Sequence, residues 1–263
     1  MGILNVTPDS FSDGRRFLSP KKAITRALEM ERQGADIIDI GGESTRPGSK
    51  GVSVKEEIKR TVPVVKKLVK RLKIPVSIDT TKYEVAETAL EAGASIVNDV
   101  SGLRSDEKIA ALCGQYSAGL VLMHMKGTPR SMQKRPAYKN LLRDIRDYLK
   151  SAARIAEKNG VSKENIVIDP GIGFGKTLKH NLKLLDEVKF FKRLGLPVLI
   201  GLSRKSFMGK LLGLKTRDRL IPTVAANAIA VYNGADIIRV HDIKEAVIAA
   251  RIAEAISLNK GRL

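Results

Sequence analysis

Gly34-Ala35-Asp36-Ile37-Ile38-Asp39-Ile40 closes a helical stretch with two small residues and runs straight into a β-branched strand. The same junction recurs at Gly93-Ala94-Ser95 and at Gly234-Ala235-Asp236. Outward from these points, short β-branched runs alternate with longer segments of helical period, the pattern of parallel strands joined by crossover helices. Eight strands are expected, at 2–6, 36–40, 74–79, 95–100, 119–123, 166–169, 197–201 and 236–240. Spread over 263 residues, that allows about 33 residues per unit, the size of one βα repeat. Helix starts are marked by Ser19-Pro20, with proline at the first helical position, and by two expected capping boxes, Ser53 to Glu56 and Thr81 to Glu84. Leu141, Ile145, Leu149, Ala152 and Ala156 recur at three- and four-residue steps, which gives that helix one buried stripe. Eight such units suit an α/β fold of the (β/α)8 TIM barrel type better than an open doubly wound sheet, which more often has fewer strands and a glycine-rich first turn. No linker or second composition regime divides the chain, so a single domain over 1–263 is expected.

The charge balance is 47 basic against 28 acidic residues, a net +19, which admits nucleic acid, anionic membrane or phosphorylated small molecules as partners. Lys59, Lys66, Lys70 and Lys73 fall on one face of the expected second helix, with Arg60, Lys67 and Arg71 beside them. That face reads as a solvated outer shell. Aromatics make up only 4% of the chain, tryptophan is absent and no recognition motif interleaves with the charge, so no nucleic acid is expected. The lone Cys113 excludes a disulfide framework and sits in an apolar helical pattern, consistent with a buried thiol and a reducing cytoplasm. No run approaches the roughly 18 to 20 apolar residues needed to cross a bilayer, so no membrane partner is expected.

In a barrel, function belongs at the carboxyl ends of the strands. The residues there are polar: Asn5, Glu43-Ser44-Thr45-Arg46, Asp79, Asn98-Asp99, His124, Asp169, Ser203-Arg204-Lys205-Ser206 and Arg239-Val240-His241-Asp242. Asp79, Asn98 and Asp169 offer acceptors and an amide, a set suited to a flat, nitrogen-rich heterocycle such as a pterin or purine. Each alone is as readily a rim hydrogen-bonding group; the three together point to a ligand. Thr45, Arg46, Lys205, Arg239 and His241 are the complement, a set of donors and cations that neutralises phosphate or pyrophosphate.

The glycine-rich Asp169-Pro170-Gly171-Ile172-Gly173-Phe174-Gly175-Lys176-Thr177 invites a phosphate-loop reading and fails it, because Pro170 stands where that motif needs a glycine. The glycines are expected instead to let backbone pass close to a planar ligand held by Asp169. His124, His180 and His241 lack zinc spacing. Asn5 beside a bound pyrophosphate suits a loosely held magnesium, with phosphate oxygens and water completing the octahedron. Ser203 and Ser206 have no recognisable base or nucleophile elbow.

Two rim segments are more specific than generic loops: Asn5-Val6-Thr7-Pro8-Asp9-Ser10-Phe11-Ser12-Asp13-Gly14 and Gly41-Gly42-Glu43-Ser44-Thr45-Arg46-Pro47-Gly48. With Ser77-Ile78-Asp79-Thr80, Asn98-Asp99, Met123-His124-Met125, Asp169-Pro170-Gly171, Ser203-Arg204-Lys205-Ser206 and Arg239-Val240-His241-Asp242, they resemble the dihydropteroate synthase family across essentially the whole chain. The resemblance implies a barrel, usually a homodimer, that joins p-aminobenzoate to 6-hydroxymethyl-7,8-dihydropterin pyrophosphate. It implies Asp79, Asn98, Asp169 and Lys205 on the pterin with Met123 against its ring. Asn5, Thr45, Arg46, Arg239 and His241 are implied around pyrophosphate and Mg2+, with Asn5 the metal ligand. Phe11, Pro47, Lys205 and Ser206 are implied at the p-aminobenzoate pocket, and loops bearing Asp13 and Arg46 are implied to close over the anion. An SN1-like displacement, with the anion site stabilising the leaving pyrophosphate, needs no strong general base. The family usually carries an N-terminal segment across the barrel bottom that this chain lacks, which is expected to bear on stability more than on chemistry. A pterin barrel that passes methyl groups to a corrinoid protein would share the carboxylates but needs no pyrophosphate site. A non-catalytic RNA-binding barrel would use the basic second helix and ignore the rim.

Overall fold

The computed structural model describes residues 1–7, 20–44, 48–49, 51–128, 131–133 and 136–259. Eight parallel strands alternate with helices: β1 (Gly2–Asn5), β2 (Ile38–Gly41), β3 (Val76–Asp79), β4 (Ile96–Asp99), β5 (Gly119–Met123), β6 (Ile166–Asp169), β7 (Leu199–Gly201) and β8 (Ile237–Arg239). Ladders run β1 through β6 in order, and β7 pairs with β8. Parallel bridges Ile168–Val198 and Gly2–Val240 join these two sets on both sides and close the ring. The barrel expected from the sequence is therefore the fold, and all eight strands overlap their expected positions: β5 and β6 match them, β2 runs one residue further to Gly41, and the others are shorter.

Closure sorts each strand by its period of two. Outward residues such as Leu4, Ile38, Ile40, Ile78, Val97, Leu120, Leu122, Ile166, Ile168 and Ile200 are fully or almost fully buried in one large core against the helices. Inward residues change character along the axis. At the amino-terminal end Met1, Val121 and Leu199 pack with Ile37, Ile96, Val167 and Ile237 into an apolar plug. Two residues further along the same strands stand Asp39, Asn98, Met123, Asp169, Gly201 and Arg239, so the barrel is dry at one end and polar at the other.

The helices form the outer layer: α1 (Pro20–Arg32), α2 (Val54–Leu68), α3 (Tyr83–Glu91), α4 (Lys108–Gln115), α5 (Leu141–Lys158), α6 (Leu178–Asp186), α7 (Val188–Lys192), α8 (Ser206–Leu212), α9 (Leu220–Tyr232) and α10 (Ile243–Leu258). In α5 the stripe is as expected: Ile145, Leu149, Ala152 and Ala156 are buried and Leu141 is half-buried. Fully burying one such leucine or isoleucine is worth about 1.5–3 kcal/mol. Pro20 opens α1, and Ser53 caps α2 by accepting the Glu56 N–H at 3.2 Å, but the expected box is only half formed, since the Glu56 carboxylate turns to Arg60 instead of the Ser53 N–H. The second expected box is corrected: Lys82, not Thr81, is the residue before α3, with no side-chain cap. A box absent from the sequence reading joins Thr177 and His180 at the start of α6. Helix α2 ends at Leu68, so Lys70, Arg71 and Lys73 lie beyond it; they and Lys59, Lys66 and Lys67 are exposed, whereas Arg60 is half-buried and bonded to Glu56 and the Gly42 carbonyl. Cys113 is buried, and among the described residues no helix is long and apolar enough to cross a membrane.

Candidate active site

A pocket of about 500 Å³ opens at the carboxyl ends of the strands. Its floor is the upper tier of inward residues: Ile3 and Asn5 from β1, Asp79 from β3, Asn98 from β4, Met123 from β5, Asp169 from β6, Gly201 from β7 and Arg239 from β8. Register makes this a ring, because Asn5 pairs with Gly41, Gly41 with Asp79, Asp79 with Asn98, Met123 with Asp169 and Gly201 with Arg239. Thr7, Glu43, Ser44, Ser203, Lys205, Ser206 and His241 rise from the loops as walls. The structure thus brings together Asn5, Asp79, Asn98, Met123, Asp169, Lys205, Ser206, Arg239 and His241, all expected from sequence. Phe11, Thr45, Arg46 and Pro47 lie outside the described residues.

The floor is wired by a residue that the sequence reading passed over. Asp39, fully buried in β2, accepts the Asn98 side-chain amide at 2.9 Å and Arg239 Nε at 2.6 Å through the same oxygen. Its other oxygen, Oδ1, is buried without a partner. Arg239 also donates through Nη2 to Asp79 Oδ2 at 2.6 Å. Arg239 thus has two carboxylate partners, both from inside the barrel. Burial pushes the Asp79 carboxyl up to about 7 against the pull of Arg239, with Asp39 adding to the rise. A carboxylate inside Ile37-Ile38-Asp39-Ile40 is the signal that should have exposed Asp39, since a charge on a barrel-lining position needs a partner.

Asp169 accepts the Gly171 N–H on Oδ1 at 2.7 Å, and burial raises its carboxyl while Lys205 lowers it. Lys205 bonds the Ile172 carbonyl, and its Nζ sits 4.6 Å from the centre of the Phe174 ring. Burial brings the Lys205 ammonium down to about 8 despite the attraction of Asp169. Gly173 has φ +85°, and a Cβ there would lie 3.0 Å from Lys205 Cδ, so this glycine makes room for the lysine stem. Gly171 has φ +70°, and its Cβ would fall 1.9 Å from the His124 carbonyl oxygen. Gly171 therefore answers to protein packing, while Gly173 makes room for Lys205 and also lines the pocket.

Arg204 adopts φ +54°, a left-handed turn between the pocket residues Ser203 and Lys205. Both ends of its guanidinium bond Asp242 at 2.9 Å, tying the β7 loop to the β8 loop. Ser203 Oγ accepts the His241 backbone N–H at 3.2 Å and lies 2.9 Å from His241 Nδ1. The Ser203 hydroxyl thus holds both the backbone and the ring of His241, and fixes where the imidazole stands in the pocket wall. Two rim residues prove structural: Asp99 is fully buried and accepts the Ser101 and Leu103 N–H groups, and His124 lies behind the wall, bonded to Lys176. Val100, Met123, Met125 and Met132, with Phe174 against them, make an apolar wall of which only Met123 was expected. Among the described residues no group of three or more His, Cys, Asp or Glu side chains is placed to hold a metal.

A profile described as "pterin binding enzyme" matches residues 1–241. A dihydropteroate synthase of a Synechocystis strain is 47% identical over 257 residues, covering 97% of this chain and 89% of its own. The crystal structure of Yersinia pestis dihydropteroate synthase with a sulfonamide drug complex superposes with a TM-score of 0.93 at 43% identity, over 97% of this chain and 93% of that one. The enzyme from Clostridium difficile, crystallised in the presence of pteroic acid, gives 0.90 at 47% identity, over 97% and 95%. The chain belongs to the pterin binding enzymes and, within that family, to the dihydropteroate synthases.

Proposed function

We propose that the chain works as a dihydropteroate synthase at the mouth of its barrel, condensing 6-hydroxymethyl-7,8-dihydropterin pyrophosphate with p-aminobenzoate to dihydropteroate and pyrophosphate. The observation that carries the assignment of residues is the convergence of Asp79, Asn98, Asp169 and Lys205 on one 500 Å³ pocket. Two carboxylates and an amide accept and donate along the edge of the pterin, while Met123 and Phe174 offer it apolar contact. Lys205 lies over the Phe174 ring and is attracted by Asp169, and its ammonium is assigned to the heterocycle. His241, held by Ser203, the Thr45 hydroxyl and the Arg46 guanidinium are assigned to the pyrophosphate, which gathers charge as its bond to the pterin methylene breaks. Arg239, already held by two carboxylates, presents its remaining face to the pterin and the anion together. Ser206, Phe11 and Pro47 are assigned to p-aminobenzoate, whose amine forms the new bond to the methylene carbon and then releases a proton to solvent.

Asn5 supplies one hard carbonyl oxygen beside this anion site, which suits magnesium held by a single protein ligand plus phosphate and water. When bound, that ion would neutralise charge on the departing pyrophosphate. A homodimer is supported by Ile248, Ile252 and Ile256, exposed at four-residue steps on α10, and by Ile221 and Ile229 exposed on neighbouring α9. The buried free thiol of Cys113 accords with a reducing cytoplasm. The test is incubation with the dihydropterin pyrophosphate, magnesium and radiolabelled p-aminobenzoate. Labelled dihydropteroate is expected; its absence from protein that binds both substrates would refute the reading.

A further inference from the structure

We propose that Lys176 is a positioning residue whose ammonium clamps the loop after β6 onto the loop after β5, and so holds Asp169 and Phe174 in place against the pterin. The proposal rests on the reading of the pocket as a pterin site. Lys176 does not line that pocket and is only 2% exposed, so it has no direct work to do on a substrate. Its Nζ lies 2.9 Å from His124 Nδ1, 3.1 Å from the His124 carbonyl oxygen and 3.0 Å from the Phe174 carbonyl oxygen. An ammonium has three donors, and here they meet three acceptors. Two acceptors belong to the β5 loop and one to the β6 loop, so this one nitrogen joins the two.

The contact is as close as backbone allows. The left-handed Gly171 lies so near the His124 carbonyl that a Cβ would overlap it, and Lys176 bonds that same carbonyl. The segment between Asp169 and Lys176 is folded over itself: Asp169 holds the Gly171 N–H, and the Phe174 N–H bonds the Gly171 carbonyl at 3.1 Å. Release of the Phe174 carbonyl would free the residue whose ring contacts Lys205 on the pocket side. Burial opposes the charge that the three acceptors call for, so it is their geometry that holds the proton on Lys176. Burial depresses the Lys176 ammonium well below the ordinary lysine range, with Lys205 and Arg104 adding to the fall and Asp169 opposing it. A neutral amine would leave one buried acceptor unmet, which costs more than a hydrogen bond made in water. Burial, the Lys176 ammonium itself and Arg104 drive His124 down to about 2, so a neutral ring accepts at Nδ1 from Lys176 and carries its proton on Nε2.

Lys176→Met keeps the stem and deletes the donors. The expected result is a rise of at least about tenfold in KM for the dihydropterin pyrophosphate with kcat held within about threefold, the signature of lost ground-state positioning. Lys176→Gln, which retains an amide donor, should recover part of that loss. An unchanged KM in a folded Lys176→Met protein, or a defect confined to kcat, overturns the proposal. Should both variants fail to fold, nitrogen NMR of the wild-type protein decides. With 6-hydroxymethylpterin bound, as checked by calorimetry, the Lys176 Nζ signal should shift because the charge on Asp169 becomes shared. A stationary signal, or a His124 ring protonated at Nδ1, equally overturns it. Failure of the wild-type protein to make dihydropteroate would instead strike the site reading itself, so the two failures are separable.

Discussion

Arg239 Nη2 lies 2.6 Å from Asp79 Oδ2, so a carboxylate assigned to the substrate is already ion-paired in the free pocket. The same guanidinium reaches Asp39, which makes Arg239 the charge balance of the barrel interior as well as a wall of the pocket.

The pH dependence of kcat/KM for the pterin substrate should be bell-shaped. Asp79, raised to about 7, must ionise to accept from the ring, and Lys205, lowered to about 8, must keep its proton. The rate constant therefore rises through about 7 and falls above about 8. Lys205→Arg should remove the basic limb; a basic limb unchanged in that variant would contradict the assignment.

Stability should also respond to Asp79. Its folded value lies above the model-peptide value of 3.8, so the folded state binds this proton more tightly than the unfolded chain. The contribution is full below about 4 and is lost as pH rises through about 7, and Asp79→Asn should flatten that part of the curve. Denaturant titration across this window measures it.

Asp79→Asn or Asp169→Asn should each weaken pterin binding at least about tenfold, since a charge-assisted hydrogen bond is worth roughly 1.5–3 kcal/mol. Calorimetry with the free pterin reads this directly. Equal affinity in both variants would remove the heterocycle from this floor.

Arg239→Ala should abolish turnover and also destabilise the fold by about 3–5 kcal/mol, because it strands the buried Asp39 carboxylate. Lys66→Ala combined with Lys70→Ala should leave both melting temperature and turnover near wild type, turnover within about twofold, since exposed charges are screened over roughly 8–10 Å. Loss of activity in this double variant would move the functional surface to the basic face.

Gly171→Ala should be among the most damaging single-methyl changes in the chain. The left-handed backbone costs roughly 1–2 kcal/mol with a Cβ, and the overlap with the His124 carbonyl adds to it. A folded, fully active Gly171→Ala protein would show that the loop can shift without consequence.

The barrel was legible because its signals are local: a small-residue junction, a β-branched run and a helical stripe, each read within about ten residues. The upper inward residues were legible for a related reason, since Asn5, Asp79, Asn98 and Asp169 sit at strand ends where polarity is conspicuous. Asp39 was missed because its partners Arg239 and Asn98 are 200 and 59 positions away, and only closure brings them together. Lys176 was hidden for the opposite reason, standing in a run already assigned to its glycines. The Thr81 box failed because spacing alone does not say which residue turns first into the helix. Val100, Met132 and Phe174 carry no chemical mark that separates a pocket wall from a core.

The alternation of outward and inward residues along every strand has a consequence for how such an enzyme can vary. A replacement at Met123 or Asn98 changes what the mouth of the barrel contacts, while Leu122 and Val97, one position earlier on each strand, hold the helices. Selectivity and shell strength are thus written in interleaved but separate alphabets. Asp39 and Arg239 are where the two texts share a letter, and a lineage drifting toward a new substrate would meet its stiffest resistance there.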